Sequence, residues 1–300
     1  MSIFGGKFLG NNSRRGWVGG LAAGGLVAVV WLFVAHAESD DNLASEAGLR
    51  AAADSAGRIL SSDGQVLHSL NEAIEFARAR REKLRTVSDY TAIFSKTELV
   101  NERLISQTMD LKFRQQPFSV YVHGHSKRQP AREVIFVAGM NDDKLTLHEA
   151  GLKSLITIHL KPDDPRVMAE NKYPITEIGM AKMLDAALVI WEREKDIAPT
   201  NVEVLLSNST RFGSVECEEI QITHKQRLGG LKFHITRVAF EIKSGFPVLL
   251  EQYDWPRQAG EAPPLVEQYL YSDVKTNSGL TDADFDPENS EYKFGFASLP

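Results

Sequence analysis

From Asp89 onward, apolar and polar residues take turns along the chain. Tyr90, Ala92 and Phe94 alternate with polar neighbours, as do Ile105, Met109, Leu111 and Phe113, and then Phe118, Val120 and Val122. Val134, Phe136 and Ala138 follow, then Leu145 and Leu147, then Ile156, Ile158 and Leu160. A period of two marks a strand with one buried face. Gln116-Pro117, Gln129-Pro130, Asn141-Asp142-Asp143 and Gly151 supply turn chemistry between the runs. Connections this short join antiparallel neighbours, because parallel strands need a long crossover. The pattern predicts an antiparallel meander of about six strands.

Two segments break the alternation. Val66 to Val87 places Val66, Leu70, Ala73, Ile74, Ala77, Leu84 and Val87 close to the helical period, with a charged opposite face. Thr176 to Ile197 carries a broader stripe of Ile178, Met180, Ala181, Met183, Leu184, Ala187, Leu188 and Trp191. Thr176 is placed to cap that helix, with Glu177 at the positive end of its dipole. Alternation resumes at Val202, Val204 and Leu206 and runs through Glu216–Thr223, Phe233–Ile242, Val248–Trp255 and Leu265–Val274. Gly229-Gly230 and Gly245-Phe246-Pro247 mark hairpin turns. The expected order is helix, six strands, helix, five strands, about eleven strands in all. Asn277 to Pro300 shows no clear period.

The N-terminus has a different character. Residues 1–15 hold Lys7, Arg14 and Arg15 and no acid, and Gly16 to Val34 is almost wholly apolar. Ala35-His36-Ala37 follows, then Glu38 and Asp40-Asp41. A basic start, an apolar stretch and an A-x-A site are the parts of an export signal, with Ala35 and Ala37 setting the cut. Arg14-Arg15 ahead of Gly16-Trp17-Val18 also fits a twin-arginine motif, so both the general and the twin-arginine routes stay open. An uncut segment of this length would span a bilayer and tether the protein. Residues 1–37 are therefore expected to be an export signal or anchor, 38–64 a linker, 65–295 one extracytoplasmic domain and 296–300 a tail.

Composition narrows the function. The 300 residues carry a net charge of −6, so the basic excess of a nucleic-acid surface is missing. The single cysteine, Cys217, excludes an internal disulfide and a cysteine-based zinc site. It sits among Glu216, Glu218 and Glu219, which disfavour a reactive thiolate. His123, His125, His148 and His159 fall on neighbouring predicted strands, and His123-Gly124-His125 puts two imidazoles on one face. No acidic or thiol ligand stands at a fixed spacing from them, and no metal or other cofactor is expected. Asp282, Asp284, Asp286 and Glu288 alternate like a calcium loop, but Pro287 and Lys293 occupy the positions where such a loop needs Gly and Glu. The expected role of that stretch is a polar turn that docks Phe285. No G-x-S-x-G, Walker loop or G-x-G-x-x-G occurs, and no catalytic residue is assigned.

Two groups of residues carry a family resemblance. The first is Asp89-Tyr90-Thr91-Ala92 with Lys96 and Glu98, then Met109, Lys112, Arg114, Pro117-Phe118-Ser119-Val120-Tyr121 and Arg132-Glu133-Val134-Ile135. The second is Gly245-Phe246-Pro247, Tyr253-Asp254-Trp255, Tyr269-Leu270-Tyr271 and Gly279 to Asp286, joined by Tyr173-Pro174-Ile175 and Gly179. Over about residues 65–295 the chain resembles the bacterial envelope family domain of unknown function 1571. That family is similar in layout to periplasmic lipoprotein carriers of the LolA/LolB type. The resemblance implies a mainly β, α+β fold: a curved antiparallel half-barrel of eleven strands with helices plugging the open side.

Such a sheet can leave an apolar cavity for acyl chains. Phe94, Met109, Phe113, Phe118, Val120, Phe136, Phe233, Tyr253 and Tyr269 are the candidates to line it, with a lipid or lipoprotein as partner and the helix near 176–197 as a lid. The same residues would equally build a filled core, in which case the surface or sheet edges would engage a protein partner.

Overall fold

Period-two alternation becomes sheet almost wherever it occurs. The computed structural model describes residues 65–67, 69–125, 132–148, 157–197, 199–212, 215–294 and 298–299. Strand β1 (Gln65–Leu67) precedes helix α1 (Leu70–Lys83), and the first run of strands follows: β2 (Asp89–Val100), β3 (Arg103–Arg114), β4 (Ser119–Gly124), β5 (Glu133–Val137), β6 (Leu145–His148) and β7 (Thr157–Leu160). A short helix α2 (Pro165–Met168) and a 3-10 turn at Ile175–Glu177 lead into the long helix α3 (Met180–Ile197). The second run is β8 (Val202–Phe212), β9 (Val215–His224), β10 (Ile235–Glu241), β11 (Pro247–Tyr253) and β12 (Leu265–Thr276), with β13 (Ser298–Leu299) last.

Among the described residues the thirteen strands belong to one sheet, in the order β1-β8-β9-β10-β11-β12-β2-β3-β4-β5-β6-β7-β13. The two meanders are joined where β12 pairs antiparallel with β2, Tyr271 opposite Phe94 and Glu267 opposite Glu98. β1 and β13 end the order without meeting, so the sheet is open. The β2–β3 hairpin turns on Asn101 and Glu102, both with positive φ (49° and 65°), as a two-residue turn matched to strand twist requires.

Both long helices lie on one face. The inner residues of α1 (Leu70, Ala73, Ile74, Ala77) and α3 (Met180, Met183, Leu184, Ala187, Leu188, Trp191) share one core with Val120 of β4, Leu111 of β3, Val204 and Leu206 of β8 and Val238 of β10. Strands far apart in the order reach the same pair of helices because the sheet curls around them. The fold is an open antiparallel half-barrel with helices filling its concave side. Each large apolar side chain buried there contributes about 1.5–3 kcal/mol. Arg81 fastens α1 to α3 through a two-pronged bond to Asp185 (2.8 and 2.9 Å), a partly exposed pair of modest energetic weight.

The chain after β12 crosses the outer face. Phe285 is buried against Tyr121 and Ile135, and Tyr292 stacks on Tyr121 with ring centres 4.2 Å apart. Lys112 bonds Asp284 (2.8 Å), Arg114 bonds Asp282 (2.7 Å), and the Lys293 amide donates to Glu133 (2.8 Å). Residues 277–294 thus form a strap over β3, β4 and β5.

Several boundaries differ from the sequence expectation. Val66 and Leu67 lie in β1, not in the first helix, which starts only after Ser69, whose hydroxyl accepts the Glu72 amide (3.4 Å). The second helix begins at Met180, because Thr176 sits inside the preceding 3-10 turn. The chain beyond residue 295 supplies β13, which pairs parallel with β7. The expected export signal and linker, with Arg14, Arg15, Ala35 and Ala37, lie outside the described residues. Among the described residues no helix is long and apolar enough to cross a membrane.

Candidate functional site

On the concave face the aromatic residues of β2, β3, β5 and β12 form a continuous run with Phe118, just before β4, and Tyr173, between α2 and α3. Phe136 meets Phe118 (6.0 Å between ring centres), Phe118 meets Phe113 (5.5 Å), and Phe113 stacks on Tyr90 (4.8 Å). Tyr90 meets Tyr271 (6.3 Å), Tyr271 stacks on Phe94 (4.7 Å), Phe94 on Tyr269 (6.3 Å), and Tyr269 meets Tyr173 (6.5 Å). Register explains the run: residues two apart on one strand share a face, and Phe94 is paired with Met109 on one side and Tyr271 on the other. Offset and edge contacts of this kind add about 0.5–1.5 kcal/mol each beyond area burial.

The run also holds α3 in place. The amide of Gly179 donates to the Tyr271 hydroxyl and that of Met180 to the Tyr90 hydroxyl, both at 3.1 Å. The first amides of a helix lack internal acceptors. Here two tyrosines from the sheet provide them, in place of the Ser, Thr, Asp or Asn that usually does so. Burial pushes both phenols up, so they stay protonated. Gly179 has φ +129°, and a Cβ there would stand 3.0 Å from the Phe113 ring. Only glycine lets the chain pass this close.

Where β2 and β12 leave the helices, the same face turns polar. Lys96 bonds Glu98 (2.6 Å) and Asn171 (2.5 Å), and Glu98 also accepts the Tyr269 hydroxyl (2.7 Å) and the Lys172 amide (3.1 Å). Lys172 pairs with Glu267 (2.5 Å), which accepts the Tyr173 hydroxyl (3.2 Å). Glu98 and Glu267 are buried, and each charge has a partner. Burial, then the nearby carboxylates, raise the phenols of Tyr269 and Tyr173, which keeps them as donors.

A second buried polar pair lies at the other end of α3. His224 Nδ1 faces the Phe233 carbonyl (3.1 Å), so in the neutral ring Nδ1 carries the proton. Nε2 is left as an acceptor 3.6 Å from Glu194 Oε2. Glu194 Oε1 accepts the Lys232 amide (3.2 Å). Burial pushes the Glu194 carboxyl up to about 7 and the His224 imidazole down, so a protonated Glu194 facing a neutral His224 is the favoured arrangement.

Of the nine residues expected to line the interior, Phe94, Met109, Phe113 and Val120 lie in the main core with Phe118 and Tyr269 packed against it, and Phe136 joins through Phe118. Phe233 stands in the connection before β10, with the Lys232 and Lys172 ammonium groups near its ring (5.0 and 5.8 Å). Tyr253 is on the outer side: Leu250 takes the helix side of β11, so Glu251 and Tyr253 point away, the Tyr253 hydroxyl bonding Glu251 (2.9 Å). Leu249 and Leu250 are both apolar, which hid the phase of that strand.

The other candidates have structural partners. His123 and His125 both approach Asp110 (3.5 and 2.9 Å), His159 meets Asn141 (3.0 Å) and Thr146 (3.2 Å), and His148 lies against Phe294 (5.9 Å). Asp284 and Thr281 form a capping box, and Asp282 faces Arg114. Cys217 is buried with Ala239 and Leu249 on the outer face. The Glu194–His224 pair and the tyrosine caps escaped sequence reading, because each joins residues about thirty or more positions apart.

Residues 87–294 match the model of a family described as Protein of unknown function (DUF1571). No curated protein matches the chain. Among solved structures, MucB aligns with 72% of this chain and 62% of its own at 11% identity and a TM-score of 0.39, so the chain spans less than two-thirds of MucB. Mycobacterium tuberculosis lipoprotein LppX aligns over 72% of this chain and 99% of its own, at 12% identity and a TM-score of 0.39. LolA superfamily protein NE2245 from Nitrosomonas europaea aligns over 70% and 97%, at 10% identity and a TM-score of 0.28.

Proposed function

The chain belongs to the family described as Protein of unknown function (DUF1571), and from that premise we propose that residues 65–295 are a binding module for an apolar chain. Residues 1–37 carry the domain out of the cytoplasm, and the ligand is a lipid or the acyl part of a lipoprotein in the envelope. The ligand lies along the aromatic run, taking the place of part of α3. The observation that carries this reading is the run itself. It is a continuous aromatic track on a concave sheet face that both long helices share, and the first turn of α3 is held by the track's own tyrosines. Burying acyl chain against it contributes about 0.8 kcal/mol per CH₂. The function is binding, not catalysis.

Native mass spectrometry of the protein purified from its own envelope tests this. A lipid-sized mass released on denaturation is the expected result. Ligand-free protein that also takes up no fluorescent fatty acid would overturn it. One observation favours a second reading: Trp191, Phe240 and Val120 are wholly buried, as in a filled core. On that reading the domain binds a protein partner by its surface, and a stable complex recovered without lipid would identify it.

A further inference from the structure

Close to the Glu194–His224 pair, two rings in contact each carry a buried nitrogen with no hydrogen-bond partner. They are His234 Nδ1 and Trp255 Nε1, on rings 5.7 Å apart and tilted by 38°. An unpartnered buried polar atom costs about 1–3 kcal/mol, and folded proteins keep few of them. The indole N–H only donates, and a histidine Nδ1 donates in one of its tautomers, so the matching partner is an acceptor. Cations stand around it. The Arg227 guanidinium lies over the Trp255 ring (5.3 Å) and Lys232 over Phe233 (5.0 Å). Neither Arg227 nor Lys232 makes a salt bridge among the described residues.

The loop that presents these groups is braced. Asn201 holds Gln226 through two bonds (2.7 and 2.9 Å), Gly230 (φ +94°) packs on Ile197 at the end of α3, and the Lys232 amide is tied to Glu194. Of the acids at this end of α3, Glu192, Glu194 and Asp196, the one bonded to this loop is Glu194. Its burial pushes the carboxyl up to about 7, which lessens the repulsion that an incoming anion would meet.

We propose that His234, Trp255, Arg227 and Lys232 form a subsite for an anionic oxygen group, a carboxylate or phosphate, on the head of the ligand whose chain lies along the aromatic run. This rests on the binding function proposed above. Arg227 supplies the planar fork that matches either group, and the two ring nitrogens fix its orientation.

The test uses the exported protein, stripped of bound lipid, with oleate, methyl oleate, phosphatidic acid and inorganic phosphate as probes. Oleate and phosphatidic acid are expected to bind at least tenfold more tightly than methyl oleate. The double variant Trp255→Phe/Arg227→Gln loses that preference and keeps its methyl oleate affinity. Lys232→Gln, at an exposed position, weakens oleate and phosphatidic acid but not methyl oleate, and guards against misfolding of the double variant. Inorganic phosphate at millimolar concentration competes with oleate and leaves methyl oleate untouched. Equal affinity for oleate and methyl oleate in the unaltered protein would overturn the subsite and leave chain binding standing. Failure of every lipid probe to bind would instead remove the binding function on which it rests.

Discussion

Gly179 sits where three constraints meet: a positive φ, the Phe113 ring 3.0 Å from any added Cβ, and an amide promised to Tyr271. Gly179→Ala is therefore expected to destabilise the fold by about 1–3 kcal/mol through backbone strain and overpacking. Urea unfolding followed by tryptophan fluorescence measures it; an unchanged midpoint would show that the chain passes freely here. The residue scale is also where the sequence was hardest to read. Phe94, Met109 and Phe113 were legible as inward residues because β2 and β3 alternate there, whereas Val120 lies in a strand buried on both faces over Ser119 to Val122. Tyr253 was not, since Leu249-Leu250 offers two phases and only packing chooses between them. Tyr90 and Tyr271 were legible as strand aromatics but not as helix caps. A cap drawn from another element has no i, i+3 spacing to betray it.

Among the elements, the strap of residues 277–294 shows how polar and aromatic contacts divide the work. Asp282 and Asp284 meet Arg114 and Lys112, while Phe285 and Tyr292 cover Tyr121. Of the alternating acids, whose spacing resembles a calcium loop, Asp282 and Asp284 meet these cations, Asp284 also closes a capping box, and Asp286 accepts the Glu288 amide. Tyr292→Ala removes the stack on Tyr121 and the hydroxyl bond to the Asp284 carbonyl. Trypsin should then cut after Lys293 several-fold faster, while the global unfolding free energy falls by only about 0.5–1.5 kcal/mol beyond lost area. A loss of the whole fold would mean the strap is part of the central core. Element order was readable from alternation, yet the start of α3 moved from Thr176 to Met180. Local capping chemistry favoured the first position, but the aromatic run supplies acceptors at the second.

For the molecule as a whole, the Glu194–His224 pair predicts a pH dependence of stability. Glu194 is raised by burial to about 7 in the folded protein, so between its ordinary value and 7 the folded state binds the extra proton. The stability this brings is present in acid and lost as pH climbs through 7. Glu194→Gln keeps a donor toward His224 and cannot ionise. The variant should match the parent near pH 5 and exceed it by about 1–3 kcal/mol at pH 8. Denaturation midpoints at the two pH values decide it, and an equal offset at both would mean Glu194 does not carry the proton. His224, lowered by burial, works in the opposite sense in both proteins and cancels from the comparison.

At this scale the strands β2 to β12 were legible as antiparallel runs from their alternation, while their closure into one half-barrel was what the family resemblance implied. The short β1 and β13 were not, since two or three residues show no period, and the parallel pairing of β13 has no signature of its own. Whether apolar inward residues enclose space or fill it depends on volumes that alternation does not encode.

The seam between β12 and β2 joins segments that a ribosome produces some 170 positions apart. The middle of the finished sheet cannot assemble until nearly the last segment has been made. Such distant pairing slows folding. Until Leu265–Thr276 has emerged, β2 is paired on one side only, by β3, so through most of synthesis the first meander carries an open strand edge that the last long strand alone will close.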